Sequence, residues 1–250
     1  MSQSLLKLGL SGNSEIEFFQ NFLVYKDEKI LYSDVDGIAY LYTRTKHSIN
    51  LIPTGTTHSY YVAIKARGMA HKISFTGEKN KDVFNKLANA VEVLVKPFVT
   101  VNLLLDYIKN NRLEIGGLTI TPEGIYRKRM WRSQELMPWD QYHNAVINQG
   151  KVSVFKKDDK GKYKLFAVPI AMSFTNAVIL PDILNFIFAK NGTLDEATKK
   201  QIIERKTQLS AISAQDAIRD SARCAKCGEK TVEESQKFCG KCGSSLITNI

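Results

Sequence analysis

No cysteine occurs in this chain before Cys224, and no apolar run is long enough to cross a bilayer. The two most apolar stretches are LVKPFVTVNLLLDYI (94–108) and AVILPDILNFIFA (177–189). Lys96 and Asp106 interrupt the first and Asp182 the second, and both fall short of the roughly 20 residues a spanning helix needs. The opening MSQSLLKLGLSG has neither a basic n-region nor an apolar h-region, so no signal peptide is expected. G-x-x-x-x-G-K-[ST], H-E-x-x-H and G-x-S-x-G are all missing, which removes the recognisable phosphate-loop, zinc-protease and α/β-hydrolase chemistries. His47, His58, His71 and His143 lie far apart in the chain and share no metal or triad spacing. A soluble, cytoplasmic, non-enzymatic protein is the expectation.

What is present looks globular. Of 250 residues, 44% are hydrophobic and 24% charged, enough apolar surface for one large or two small cores. The net charge of +10 divides as +3 over residues 1–100, +5 over 101–192 and +2 over 193–250. A diffuse positive charge attracts acidic surfaces without choosing among nucleic acid, anionic lipid and protein.

All four cysteines fall in CAKCGEKTVEESQKFCGKCG, from Cys224 to Gly243, as C-x2-C-x11-C-x2-C. Reduced thiols in two tight pairs suit tetrahedral zinc, each pair wrapping one edge of the tetrahedron. Cys224, Cys227, Cys239 and Cys242 are therefore the expected ligands of one structural zinc. A closed four-thiolate set leaves no open position for catalysis. Gly228 and Gly243, each following the second cysteine of a pair, allow backbone N–H groups to turn toward the sulfurs. The stretch resembles the short zinc ribbons attached to many bacterial proteins. It departs from them in carrying Ala225 and Gly240 where proline often follows the first cysteine.

The remainder reads as a repeat. Ile73-Ser74-Phe75-Thr76 and Met172-Ser173-Phe174-Thr175 each precede an apolar helical stretch, 99 residues apart. Upstream of each lie short runs rich in Val, Ile, Tyr and Phe, separated by turn signals, and DDKGK (158–162) reads as a hairpin turn. In the first helix Val83, Leu87, Ala90, Leu94, Phe98, Val101, Leu105 and Ile108 recur at steps of three and four. Pro97 is expected to kink or break that helix. The segment LTITPEGIYRKRMWRSQELMPWDQYHNAVINQGKVSVF has a turn, a basic strand and then Pro138-Trp139, with Tyr32-Ser33-Asp34-Val35 in the comparable place earlier. Over residues 14–190 this resembles the bacterial pleckstrin-homology-like (PH-like) and GRAM-like domains. The resemblance implies a mainly β, α+β chain with capping helices. Two PH-like β-barrels in tandem (14–111, with a long terminal helix, and 112–191) would superpose as one fold. A helical linker (192–222) and the ribbon (223–250) would follow, with Thr193 and Glu196 spaced as a capping box.

Arg127-Lys128-Arg129-Met130-Trp131-Arg132 is the densest basic cluster. Phosphoinositide-binding PH domains use a basic K/R-x-R pair near their first hairpin, and Arg127-x-Arg129 resembles it. Arg127, Lys128, Arg129 and Arg132 are thus candidate ligands for an anionic surface, or else the charges of a solvated edge strand. The expected role is an adaptor for another protein, with an anionic membrane as a further partner. The alternative is a nucleic-acid binder that uses the ribbon and the basic strand.

Overall fold

The computed structural model describes residues 4–10, 14–49, 52–128 and 134–221. The chain is mainly β and of α+β class. β1 (Leu6–Gly9), β2 (Glu15–Phe18), β3 (Phe22–Tyr25) and β4 (Glu28–Leu31) form an antiparallel meander. Ile16 and Phe18 of β2 point into the core while Glu15 and Glu17 point away, the two-residue period of a half-buried strand. A 3-10 turn, Tyr32–Asp34, leads to a second antiparallel sheet of β5 (Val35–Ile49), β6 (Ile52–Ala66) and β7 (Met69–Thr76). Arg67 and Gly68 both have positive φ, as the two-residue hairpin joining β6 to β7 requires.

The same order then recurs. β8 (Leu113–Ile115), β9 (Leu118–Thr121), β10 (Gly124–Arg127) and β11 (Glu135–Pro138) form a four-stranded sheet. A 3-10 turn, Trp139–Gln141, leads to β12 (Tyr142–Asn148), β13 (Lys151–Lys157) and β14 (Tyr163–Leu165), with β15 (Ile170–Ala171) on the other part of β13. Tyr32 and Trp139 occupy matching slots: each opens the turn between the two sheets and each is buried. Gly116 and Gly117 make the β8–β9 hairpin turn. Among the described residues neither half closes into a barrel; each is an open pair of sheets covered by a helix. The two Ser-Phe-Thr motifs also differ. Ser74–Thr76 ends β7, whereas Ser173–Thr175 lies in a turn before α3 (Leu180–Phe188).

Pro97 bends the register of the long helix without ending it. α1 (Lys81–Ala90) passes through a π-helical turn, Val91–Val95, into α2 (Lys96–Asn110). The wide turn absorbs the carbonyl that the missing proline N–H cannot engage. It also moves the deepest stripe to steps of four: Leu87, Val91, Val95, Val99, Leu103 and Tyr107 are all buried. The expected positions Leu94, Leu105 and Ile108 are only partly covered. By length and composition this helix could cross a membrane, but half of its most apolar window is buried inside the protein.

The halves share one core. The Tyr40 N–H donates to the Met172 carbonyl at 2.9 Å, so the second half docks on the outer edge of β5. The Asn176 side chain accepts from the Ile38 N–H at 3.1 Å and donates to the Asp36 carbonyl at 3.1 Å. Gly37 sits at a β-bulge beneath the Thr175 methyl, where a Cβ would collide. Lys96 ties α2 to α3, with Glu92 and Asp182 each 2.8 Å away.

Candidate functional site

Of the basic cluster, the described residues include Arg127 and Lys128; Arg129 and Arg132 lie outside them. Arg127 ends β10, directly opposite Glu135 on β11. Its Nε and NH2 donate to one Glu135 carboxylate oxygen at 2.8 and 2.5 Å, and its guanidinium lies 4.8 Å from the centre of the Phe166 ring. Lys156 of β13 donates to the other oxygen at 3.1 Å. Burial works to raise the Glu135 pKa, but the hydrogen bonds from Arg127 and Lys156 prevail and hold it below the usual carboxylate value. The Arg127 guanidinium thus has its anion on the neighbouring strand of its own sheet, and Lys156 links the same carboxylate to the other sheet of the second half. Lys128 is exposed beside a shallow groove of about 420 Å³ that also includes Arg112, Glu114 and Gln134.

The clamp has a pH consequence. A carboxylate whose pKa falls on folding stabilises the fold above its unfolded value, here 4.5, and loses that contribution as pH falls through and below it. Replacing Glu135 by Gln is expected to cost about 1–2 kcal/mol at neutral pH, the worth of charge-assisted hydrogen bonds to a half-buried guanidinium. It should also flatten the acid limb of stability. Urea titrations from pH 7 to pH 3 check both; a variant with the wild-type acid limb would show that the clamp carries no linkage.

Cys224, Cys227, Cys239 and Cys242 lie outside the described residues. Among the described residues no three His, Cys, Asp or Glu side chains converge on a point that could hold a metal. The zinc expectation therefore stands on the chemistry of the donor set: four thiols, paired, the number and kind of ligand that tetrahedral zinc takes.

The element that precedes that segment is α4 (Glu196–Ser221), and it is packed on the body. Leu194, Ile202 and Leu209 are buried in the core, and Lys206 donates to the Asn102 side chain of α2 at 2.6 Å. The helix is capped by Asp195, which accepts from the Thr198 N–H at 2.7 Å, rather than by Thr193. The Thr198 hydroxyl and N–H both hold the Asp195 pKa below its ordinary value.

Three buried tyrosines are structural. Burial pushes up the hydroxyls of Tyr32, Tyr107 (to about 12) and Tyr142. They donate to the Phe19 carbonyl, the Gly192 carbonyl and the Asn185 side chain, respectively, at 2.8, 2.6 and 2.7 Å. Protonated at neutral pH and committed as donors, they offer no base or nucleophile.

The site that sequence reading missed is an arm. β7 leaves β6 at the Ser59–Thr76 pair, but β5 and β6 continue alone from Arg44–His58 to Ile49–Ile52. At its base Tyr42 stacks on Tyr60 with ring centres 5.2 Å apart, and Tyr60 packs against Phe75 and Phe84. The Tyr42 hydroxyl meets His58 Nδ1 at 3.0 Å, and His47 Nε2 meets the Thr57 hydroxyl at 2.7 Å. Pro53 and Gly55 read as strand breakers and hid the arm. The signal that could have found it is the β-branched run on either side of them. Compared with known proteins, the chain matches no family model and no curated sequence.

Proposed function

We propose that the chain is a non-catalytic adaptor: two PH-like halves fused into a platform, from which α4 presents a zinc ribbon to a protein partner. The observation that supports this best is the repeated order of four-stranded sheet, buried aromatic on a 3-10 turn, second antiparallel sheet (three strands in the first half, four in the second) and helix. That order is what tandem PH-like domains would give, and PH-like domains mostly bind proteins or lipids. Cys224, Cys227, Cys239 and Cys242 would hold one zinc, giving a segment too short for its own core a rigid surface for recognition. Arg127, already neutralised by Glu135, weakens the 127–132 cluster as the anionic contact.

Crosslinking in lysate, with and without nuclease, tests the reading when the full chain is compared with one ending at Ser221. The expected result is a discrete protein adduct that survives nuclease and disappears with residues 222–250. An adduct lost on nuclease treatment, or one indifferent to the truncation, overturns the adaptor reading.

A further inference from the structure

We propose that the β5–β6 arm is a duplex-DNA-binding ribbon, an activity that goes beyond the adaptor reading and does not rest on it. From Gly37 to Gly77 the chain has no Asp or Glu, yet it carries five Lys or Arg and three of its four His. The body uses some of this charge internally: Lys65 reaches Asp36, Arg67 reaches Asp34 and His71 reaches Glu28. Arg44 and Lys46 are different. Both are exposed, and neither makes an ion pair among the described residues. They are two positions apart on one strand, so they share a face, opposite His58 and Thr56.

The shape fits as well as the charge. Six residues of β5 project past the point where β7 leaves, roughly 20 Å of two-stranded ribbon. The major groove of B-form DNA admits such a ribbon, whereas the deep, narrow major groove of duplex RNA does not. Both faces of the shaft are polar: Arg44, Lys46, Thr56 and His58 on one, Thr45, His47 and Thr57 on the other. A ribbon between two phosphate rails uses both faces, with cations and hydroxyls on the phosphate oxygens. A protein partner would look for apolar or aromatic anchors, and residues 43–48 and 54–58 include none. The Tyr42–Tyr60–Phe84 stack fixes the arm's base, so its direction is set before binding.

The sequence from the end of β5 to the start of β6, Ile49-Asn50-Leu51-Ile52-Pro53, is mostly apolar, which makes an anionic membrane the competitor to test against. Full-length protein is titrated into a fluorescent duplex of about 20 bp between about 50 and 200 mM salt. In parallel it is mixed with phosphatidylserine-containing vesicles. Arg44→Glu/Lys46→Glu is compared with Lys160→Glu/Lys162→Glu, an equal charge change on the exposed β13–β14 turn. The arm variant is expected to weaken duplex binding about tenfold or more and to lower the log–log salt slope by about 2, while the turn variant stays near wild type. Thermal melting confirms that both fold. Equal losses in the two variants, no duplex binding at low salt, or arm-dependent binding to vesicles alone would each overturn the proposal.

Discussion

Replacing Gly192 by alanine is expected to destabilise the protein by roughly 3–5 kcal/mol, through backbone strain, overpacking and a disturbed buried hydrogen bond. Gly192 has φ +79, and its N–H closes on the Ile187 carbonyl at 3.0 Å while the Asn191 N–H closes on Phe188 at 2.9 Å. Those two bonds are a Schellman cap on α3, with Asn191 in the left-handed position and Gly192 just beyond it. An alanine methyl would enter the Pro122 carbonyl oxygen on one side and the Trp139 indole on the other. Neither neighbour can give way cheaply. Pro122 lies in the tight turn between β9 and β10, and Trp139 Nε1 donates to the Thr121 carbonyl at 3.0 Å. The Gly192 carbonyl is also held, by the Tyr107 hydroxyl of α2. One residue thus joins α3, the second half and the long helix. Against a total stability of about 5–15 kcal/mol, the loss should lower the melting temperature by on the order of 10 °C. Shrinking the indole with Trp139→Phe should recover part of it, because neighbouring changes are not additive. A fall below about 1 kcal/mol would mean that the cap relaxes and the close approach is not a constraint.

The same junction shows what could be read from the sequence. Tyr32 and Trp139 were legible as counterparts because each stands just before a Val- or Tyr-led strand after an extended residue, a local pattern. The DDKGK turn was legible for a similar reason: Asp158 accepts from the Lys160 and Lys162 N–H groups within its own loop. The helical stripe was found with its phase partly wrong. A π turn changes the period, and the demand for burial comes from both halves at once, which no window on one helix registers. Arg127 looked free because its partner Glu135 lies across a hairpin, visible only once the β10–β11 register is known. The docking of α4 was weakly encoded as well. Ile202 and Leu209 are seven residues apart in a polar segment, too sparse a stripe to separate a docked helix from a free one. The open sheets were the furthest from reach, since closure depends on how edges meet and not on strand content.

Replacing Cys239 by serine is expected to abolish zinc binding and unfold the tail while leaving the body folded. Four thiolates on one zinc contribute an apparent 10–16 kcal/mol in short zinc peptides, far above anything a segment of this length gains by burying apolar surface. Serine keeps the shape but replaces a thiolate with a hydroxyl that stays protonated at neutral pH, so the tetrahedron loses a ligand. Elemental analysis should give one zinc per wild-type chain and close to none per variant, with the remaining thiols open to titration. Limited proteolysis should then cut the segment after Ser221. The body has its own core, and the residues that anchor α4 to it, Ile202 and Leu209, precede the cysteines. The main melting transition should therefore shift by less than about 1 kcal/mol. A strong chelator acting on wild type should reproduce both effects, and adding zinc back should reverse them. If the main transition drops with the metal, the ribbon is packed on the platform and its surface is shared with the body. If wild-type protein purified without added metal has no zinc and four freely titratable thiols, the four cysteines are not a metal site, and the recognition role assigned to the tail loses its physical basis.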